Sequence, residues 1–187
     1  MRCRKPFPHT MIIAKLKNRK PIQIGIGMHT GPLMLGIMGD RDRMDANVVS
    51  DAVNIASRME GLTKFYGASI AVSEDTLSRL AGAGKFNHRF LGKVQGKGKQ
   101  QPISVFEITV GDSREISDLK SRTKTDFEAG LNHYFAKEFT EASVCFKNVL
   151  KTNAKDKTAK LYLERSAQFM VQGVPEDWEG VEAMANK

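Results

Sequence analysis

At 187 residues with 41% apolar side chains, the chain can bury the core of one ordinary domain, or of a small domain with an appendage. It has no apolar run near the roughly 18 residues that a membrane-spanning helix needs, which excludes such a helix on sequence grounds. The net charge is +8, but Arg2, Arg4, Lys5, Lys15, Lys17, Arg19 and Lys20 hold seven of those charges, so a basic nucleic-acid-binding face across a folded body is excluded too.

Residues 1–20 read as a basic lead-in, solvated and irregular. A polybasic arm meeting phosphates or anionic lipid is the alternative reading. The apolar stretch in this segment is short and broken by Lys15 and Lys17, which does not suit a secretory signal. Cys3 and Cys145 are too few for a disulfide framework, so a reduced, cytoplasmic setting is expected. Ile22, Ile24, Ile26 and Met28 alternate with small or polar residues, predicting a strand. The turn Thr30-Gly31-Pro32 comes next, then a second strand over 33–38, then a polar loop over 41–47. Ser50 is an N-cap candidate, with Asp51 at the positive end of the helix dipole. Ile55, Met59, Leu62 and Tyr66 follow helical spacing, and Gly67 ends that helix. A short strand over 69–72 leads to a helix capped by Ser73 and running to Leu80. Strands over 86–94 and 103–110 flank a turn at Gly96-Lys97-Gly98-Lys99.

The body is therefore α+β over 21–111, succeeded by a linker over 112–125 and a helical tail over 126–187 with almost no β signal. In the tail, Phe127, Leu131, Tyr134 and Phe135 share one helical face. Phe139, Ala142, Phe146, Val149 and Leu150 form a second, and Ala159, Tyr162, Leu163 and Ser166 a third. Gly130, Tyr134, Ala142, Phe146 and Ala154 resemble one tetratricopeptide-type repeat with a turn one residue short. A single repeat cannot bury its own face, so the tail should dock on the first domain or on a partner. A plain helical hairpin packed on the domain is the simpler reading, with Trp178 anchoring the last turn.

Three motif readings fail. Gly25, Gly27 and Gly31 miss dinucleotide-loop spacing by one residue and precede a strand rather than a helix. Lys97 and Lys99 lack the upstream glycine and the following Ser or Thr of a phosphate-binding loop. His29 has no second ligand at metal spacing and reads as a hydrogen-bonded histidine at a strand end. More informative are Asn54 and Arg58, four apart on the predicted helix and offset from its apolar face. An amide and a guanidinium one turn apart suit a ribose or a phosphate, although an exposed helical Arg is more often a solvated surface residue.

The stretches IGIGMHTGPLMLGIMG, RMDANVVSDAVNIASRMEGLTKFYGASIAVSE and VQGKGKQQPISVFEI resemble the second half of the class III adenylate and guanylate cyclase catalytic domain. The similarity runs from about Pro21 to Ile108, and the run from Asp51 to Arg58 is its most specific part. Tyr162-Leu163-Glu164-Arg165 and the segment from Pro175 to Gly180 resemble the region C-terminal to the cyclase domain in many bacterial multidomain cyclases.

The resemblance implies a truncated ferredoxin-like domain, with a mixed or antiparallel sheet and helices, joined to a small all-α tail. It also implies a reaction. The ribose 3′-hydroxyl of a nucleoside triphosphate, ATP in preference to GTP, attacks its own α-phosphate and pyrophosphate leaves. The site forms between two protomers, as a homodimer or with another cyclase domain. By position, Asn54 orients the ribose, Arg58 stabilises the α-phosphate, Asn47 reads the base, and Lys97 or Lys99 meets the terminal phosphates. The family uses Mg2+ or Mn2+, held by aspartates upstream of the IGIG strand. Here the residues before Pro21 include no acid, so no metal is expected to bind this chain alone and the isolated chain is expected to be inactive. The missing first strand and helix would leave apolar sheet surface bare and an edge open. Besides a half-site that completes an intact partner, a non-catalytic regulatory module built from a cyclase remains an alternative.

Overall fold

The computed structural model describes residues 24–40, 43–80, 86–95 and 101–183. The basic lead-in and the Gly96–Lys99 turn, with Lys97 and Lys99, lie outside the described residues. A five-stranded mixed sheet is built from β1 (Ile26–Met28), β4 (Ile70–Ser73), β6 (Ile103–Ile108), β5 (His88–Gln95) and β7 (Val181–Ala183), in that spatial order. β1 runs parallel to β4 and β7 parallel to β5, while β6 is antiparallel to both its neighbours. A separate antiparallel ribbon joins β2 (Met34–Asp40) to β3 (Arg43–Val49). No helix among the described residues is long and apolar enough to cross a membrane.

Helix α1 (Asp51–Tyr66) is bounded by the residues expected to bound it. Ser50 is extended and its hydroxyl accepts from the Ala52 amide at 2.9 Å, satisfying one of the first-turn donors. Gly67 takes the left-handed conformation at φ 71° and donates back to the Thr63 carbonyl. The helix lies across β1 at backbone contact. A Cβ on Gly27 would sit 2.1 Å from the Glu60 nitrogen and 2.4 Å from the Ala56 oxygen. The glycines of the IGIG strand thus face the helix, while Ile24, Ile26 and Met28 project away from it, exposed by 55, 46 and 36%. β1 is the sheet edge beyond β4, with no second neighbour among the described residues. Whether that surface and edge are uncovered, as expected from sequence, lies outside the described residues.

Ser73 caps the short helix α2 (Glu74–Arg79), again as expected. The stretch expected as a loop over 41–47 differs. Residues 43–49 pair in register with β2, from Met34 opposite Val49 to Asp40 opposite Arg43. A two-stranded ribbon packed on no further strand imposes little alternation, so its second arm carried no apolar period to read. Asn47 stands on this arm, opposite Gly36.

The 112–125 stretch contains helix α3 (Arg114–Arg122), started by Ser113, whose hydroxyl accepts from the Ile116 amide. The tail helices come next as α4 (Lys124–Phe135), α5 (Phe139–Thr152) and α6 (Lys157–Gln172). They share one apolar core with the sheet: Met59, Tyr66, Leu91, Val94 and Val105 from the body pack with Phe127, Leu131, Tyr134, Phe146 and Tyr162 from the tail. Trp178 lies beyond the end of α6 at Gln172, and its ring packs 5.4 Å from that of Phe169 in the helix's last turn and 5.2 and 5.6 Å from those of Tyr134 and Phe139. One feature departs from the sequence-based expectation for the tail: beyond Trp178, β7 adds a strand to the sheet where no β signal was expected.

Charged groups bridge the same seam. The Arg89 guanidinium on β5 donates to Glu107 on β6 at 2.6 Å and to Asp156 ahead of α6 at 2.7 Å. It also lies 3.9 Å from the Phe127 ring centre. Lys120 on α3 donates to Glu107 at 2.6 Å and to Asp112 at 2.8 Å. Arg89, Glu107, Lys120 and Asp156 are all buried, so each charge depends on the others for partners.

Candidate functional site

The start of α1 is fixed by the turn that precedes the ribbon. The Ser50 hydroxyl donates to the Pro32 carbonyl at 2.6 Å, and a Cβ on Gly31 would meet the Ala52 Cβ at 2.9 Å. The turn is tied in its place by side chains. His29 Nδ1 and the Ser73 hydroxyl share a hydrogen bond of 2.7 Å, and the hydroxyls of Thr30 and Thr76 share one of 3.1 Å. His29 is thus a hydrogen-bonded histidine at the end of β1, as its sequence context suggested.

On this fixed helix Asn54 is exposed and Arg58 is half-buried, one turn and about 6 Å of helix rise further on. Met59, Thr63 and Tyr66 form the buried side of the same helix. The side chains of Asn54 and Arg58 make no hydrogen bond or ion pair within the described residues. Both donors are therefore available to an outside group, and Arg58 is partly desolvated, which strengthens its attraction for an anion. The two residues stand together on one element. Asn47 lies on the ribbon that leads into α1, eleven residues before Arg58 in the chain. The strand β5 that leads toward Lys97 and Lys99 is described up to Gln95.

Among the described residues, no three His, Cys, Asp or Glu side chains gather where a metal ion could sit. The donors at Asn54 and Arg58 are an amide and a cation, which do not fit a divalent ion, and no chemical step is assigned to one.

The buried cluster of Arg89, Glu107, Lys120 and Asp156 was not foreseen from sequence. A charged residue in a strand ordinarily marks the solvent side, and only the tail's return over β5 and β6 buries these. The one available signal was that Arg89 stands two residues before Leu91, on the same side of a strand, too brief to place that side.

Residues 8–109, more than half of the chain, match the family model described as the adenylate and guanylate cyclase catalytic domain. The chain is 43% identical over 88 residues to an adenylate cyclase of Anabaena cylindrica, spanning 46% of this chain and 18% of that protein. It is 28% identical over 148 residues to the terminal-differentiation-specific adenylate cyclase of Dictyostelium discoideum, spanning 79% of this chain and 7% of that one. The chain thus spans less than a fifth of the length of either relative. Among solved structures it is similar to the adenylyl cyclase CyaB of P. aeruginosa, at 28% identity and a TM-score of 0.43 over 57% of this chain and 53% of that one. With the family model spanning four of the five sheet strands, α1 and both cap residues, the chain belongs to the class III adenylate and guanylate cyclase catalytic-domain family.

Proposed function

We propose that this chain supplies the Asn54–Arg58 half of a nucleotide cyclase site, acting on ATP in preference to GTP. The observation that carries this reading is one exposed amide and one half-buried guanidinium, a turn apart, on a helix packed against β1, the outer strand of the sheet among the described residues. In the reaction the ribose 3′-oxygen forms a bond to the α-phosphorus of the same nucleotide, and the bond from that phosphorus to the bridging oxygen breaks, releasing pyrophosphate. Asn54 holds the ribose so that its 3′-oxygen faces the α-phosphate. Arg58 donates to the α-phosphate oxygens as negative charge grows on them. Asn47 contacts the base, where its amide can both donate and accept, and Lys97 or Lys99 neutralises the terminal phosphates. Carboxylates able to hold divalent ions belong to the other half of the site, given by a second cyclase domain against β1. The setting is cytoplasmic and the parent is a bacterial multidomain cyclase, with the tail as one tetratricopeptide-like repeat. Gly130 supports that last point, since a Cβ there would meet the Phe146 ring at 2.9 Å.

The test is complementation. The full chain is mixed with a cyclase that keeps its metal-binding aspartates but has its own Asn and Arg replaced. Cyclic nucleotide is expected from the mixture and from neither protein separately, with ATP or GTP and Mn2+ present. Turnover by the chain alone would show that it is no half-site, and a silent mixture would defeat the catalytic reading. A second reading is a non-catalytic regulatory module derived from a cyclase. Under that reading the chain binds an intact cyclase domain and changes its rate, and replacing Arg58 leaves the effect intact.

A further inference from the structure

The C-terminal end of α1 is not closed by its own flanking residues alone. Like any helix, it leaves its last carbonyls without intrahelical partners. The Gly67 and Ala68 amides both turn back to the Thr63 carbonyl. The carbonyls of Lys64 and Tyr66 are taken by the tail, some ninety residues later in the chain. Lys157 Nζ donates to the first, and the Thr158 hydroxyl donates to the second at 2.8 Å. Both belong to the opening turn of α6. Contact there is close, for a Cβ on Gly67 would meet the Lys157 Cβ at 2.8 Å.

The same short stretch of α6 grips the sheet. Asp156 caps α6 by accepting from the Ala159 amide at 3.0 Å, and it holds Arg89 on β5. Tyr162, one turn after Thr158, donates to the Leu91 carbonyl at 2.6 Å, where the β5–β6 ladder shifts register between Phe90 and Gly92. Four residues of one helix start therefore fix the end of α1 relative to the middle of the sheet. Thr158 is 1% exposed, so its hydroxyl has no water to turn to and the Tyr66 carbonyl has no substitute donor.

We propose that Thr158 is a positioning residue for the cyclase reaction, with Lys157 beside it. The two act through α1 to set where Asn54 and Arg58 stand. Arg58 is about two turns before the clamped carbonyls of Lys64 and Tyr66, about 9 and 12 Å of helix rise away. The Ser50 cap and the Gly31 contact at Ala52 fix the other end, and the β1 glycines hold the helix between Ala56 and Thr63, so loss of the clamp lets the last turn fray and the helix tilt about those contacts, which shifts Arg58. Displacements near 1 Å can cost about 100-fold in rate, and the partial loss expected here is about tenfold. This role rests on the half-site reading above.

The experiment uses the full chain carrying Thr158→Val, which keeps shape and removes the donor. It is read in two ways: complemented cyclase activity at a temperature well below unfolding, and amide hydrogen exchange. The expected result is kcat about tenfold lower with KM for ATP little changed, together with faster exchange over residues 60–66. Thr158→Ser, which returns the hydroxyl, restores both. Faster exchange with unchanged kcat overturns the positioning role, and unchanged exchange overturns the clamp itself. If Thr158→Val does not fold, Lys157→Met, whose side chain is exposed, is judged by the same two readings. A silent wild-type mixture refutes the half-site reading rather than the clamp, which then stands or falls on the exchange of α1 alone.

Discussion

Asn54 is exposed and Arg58 half-buried on α1, and neither side chain makes a hydrogen bond or ion pair among the described residues. Replacing either with Ala should leave thermal unfolding within about a degree of wild type, as for surface substitutions in general. Complemented cyclase activity should fall about 100- to 1,000-fold for Arg58→Ala, as when one preorganised donor to a developing charge is removed. A large drop in melting temperature alongside the rate would mean that Arg58 serves the fold instead. Arg89 should behave in the opposite way. Its removal as Arg89→Met leaves Asp156 without its cation and Glu107 with Lys120 alone. The expected loss is about 3–5 kcal/mol in chemical denaturation. A loss under about 1 kcal/mol would show that water reaches the group. These two arginines differ little in sequence. Four-residue spacing from an Asn made Arg58 a candidate, whereas the burial of Arg89 comes from Asp156, Glu107 and Phe127, which reach it from elsewhere in the chain.

Element by element, the helix that carries the site was the most legible part of the chain. Ser50, Gly67 and the spacing of Met59 and Tyr66 each specify α1 locally, and no tertiary contact is needed to see it. β3 and β7 were not legible, for two different reasons. β3 belongs to a two-stranded ribbon with no further strand among the described residues, so no apolar period marks it. β7 has only three residues and exists because β5 offers it an edge and Trp178 fixes the approach. The alternation of β1 was visible, but its sense was not. The apolar residues face away from α1, and the glycines make the helix contact. Gly27→Ala tests that arrangement. The new methyl would press on the backbone of α1 at Glu60 and Ala56, which cannot yield as a side-chain tip does. The expected cost is about 1–3 kcal/mol of overpacking, with complemented activity lost in step because α1 is lifted from the strand. Activity retained in a Gly27→Ala protein of normal stability would show that the strand does not set the height of α1.

For the molecule as a whole, body and tail share one core, and the proton binding of that core fixes how the fold responds to alkali. Burial raises the proton affinity of the Tyr66, Tyr134 and Tyr162 hydroxyls, because a phenolate would lose its hydration there. Burial alone would lower the Lys120 pKa, but Glu107 and Asp112 outweigh it and the pKa is raised. For all four groups the folded chain holds its proton more tightly than the unfolded chain does. Their stabilising contribution is complete below the unfolded values of about 10, and it is lost as pH rises through the folded values. Stability should therefore be flat from these groups between pH 7 and 9. Above pH 10 it should fall, by up to about 1.4 kcal/mol per pH unit for each group still protonated only in the folded state. Urea unfolding at pH 8, 9, 10 and 11 measures the slope. Tyr162→Phe, which cannot ionise, should reduce it by one group's share, although it also loses the bond to the Leu91 carbonyl. Since Tyr66 belongs to α1 and the other three groups lie in α3, α4 and α6, the whole chain should unfold in one step. A biphasic transition, with the tail melting first at high pH and the sheet surviving, would show that the body does not need the tail to fold.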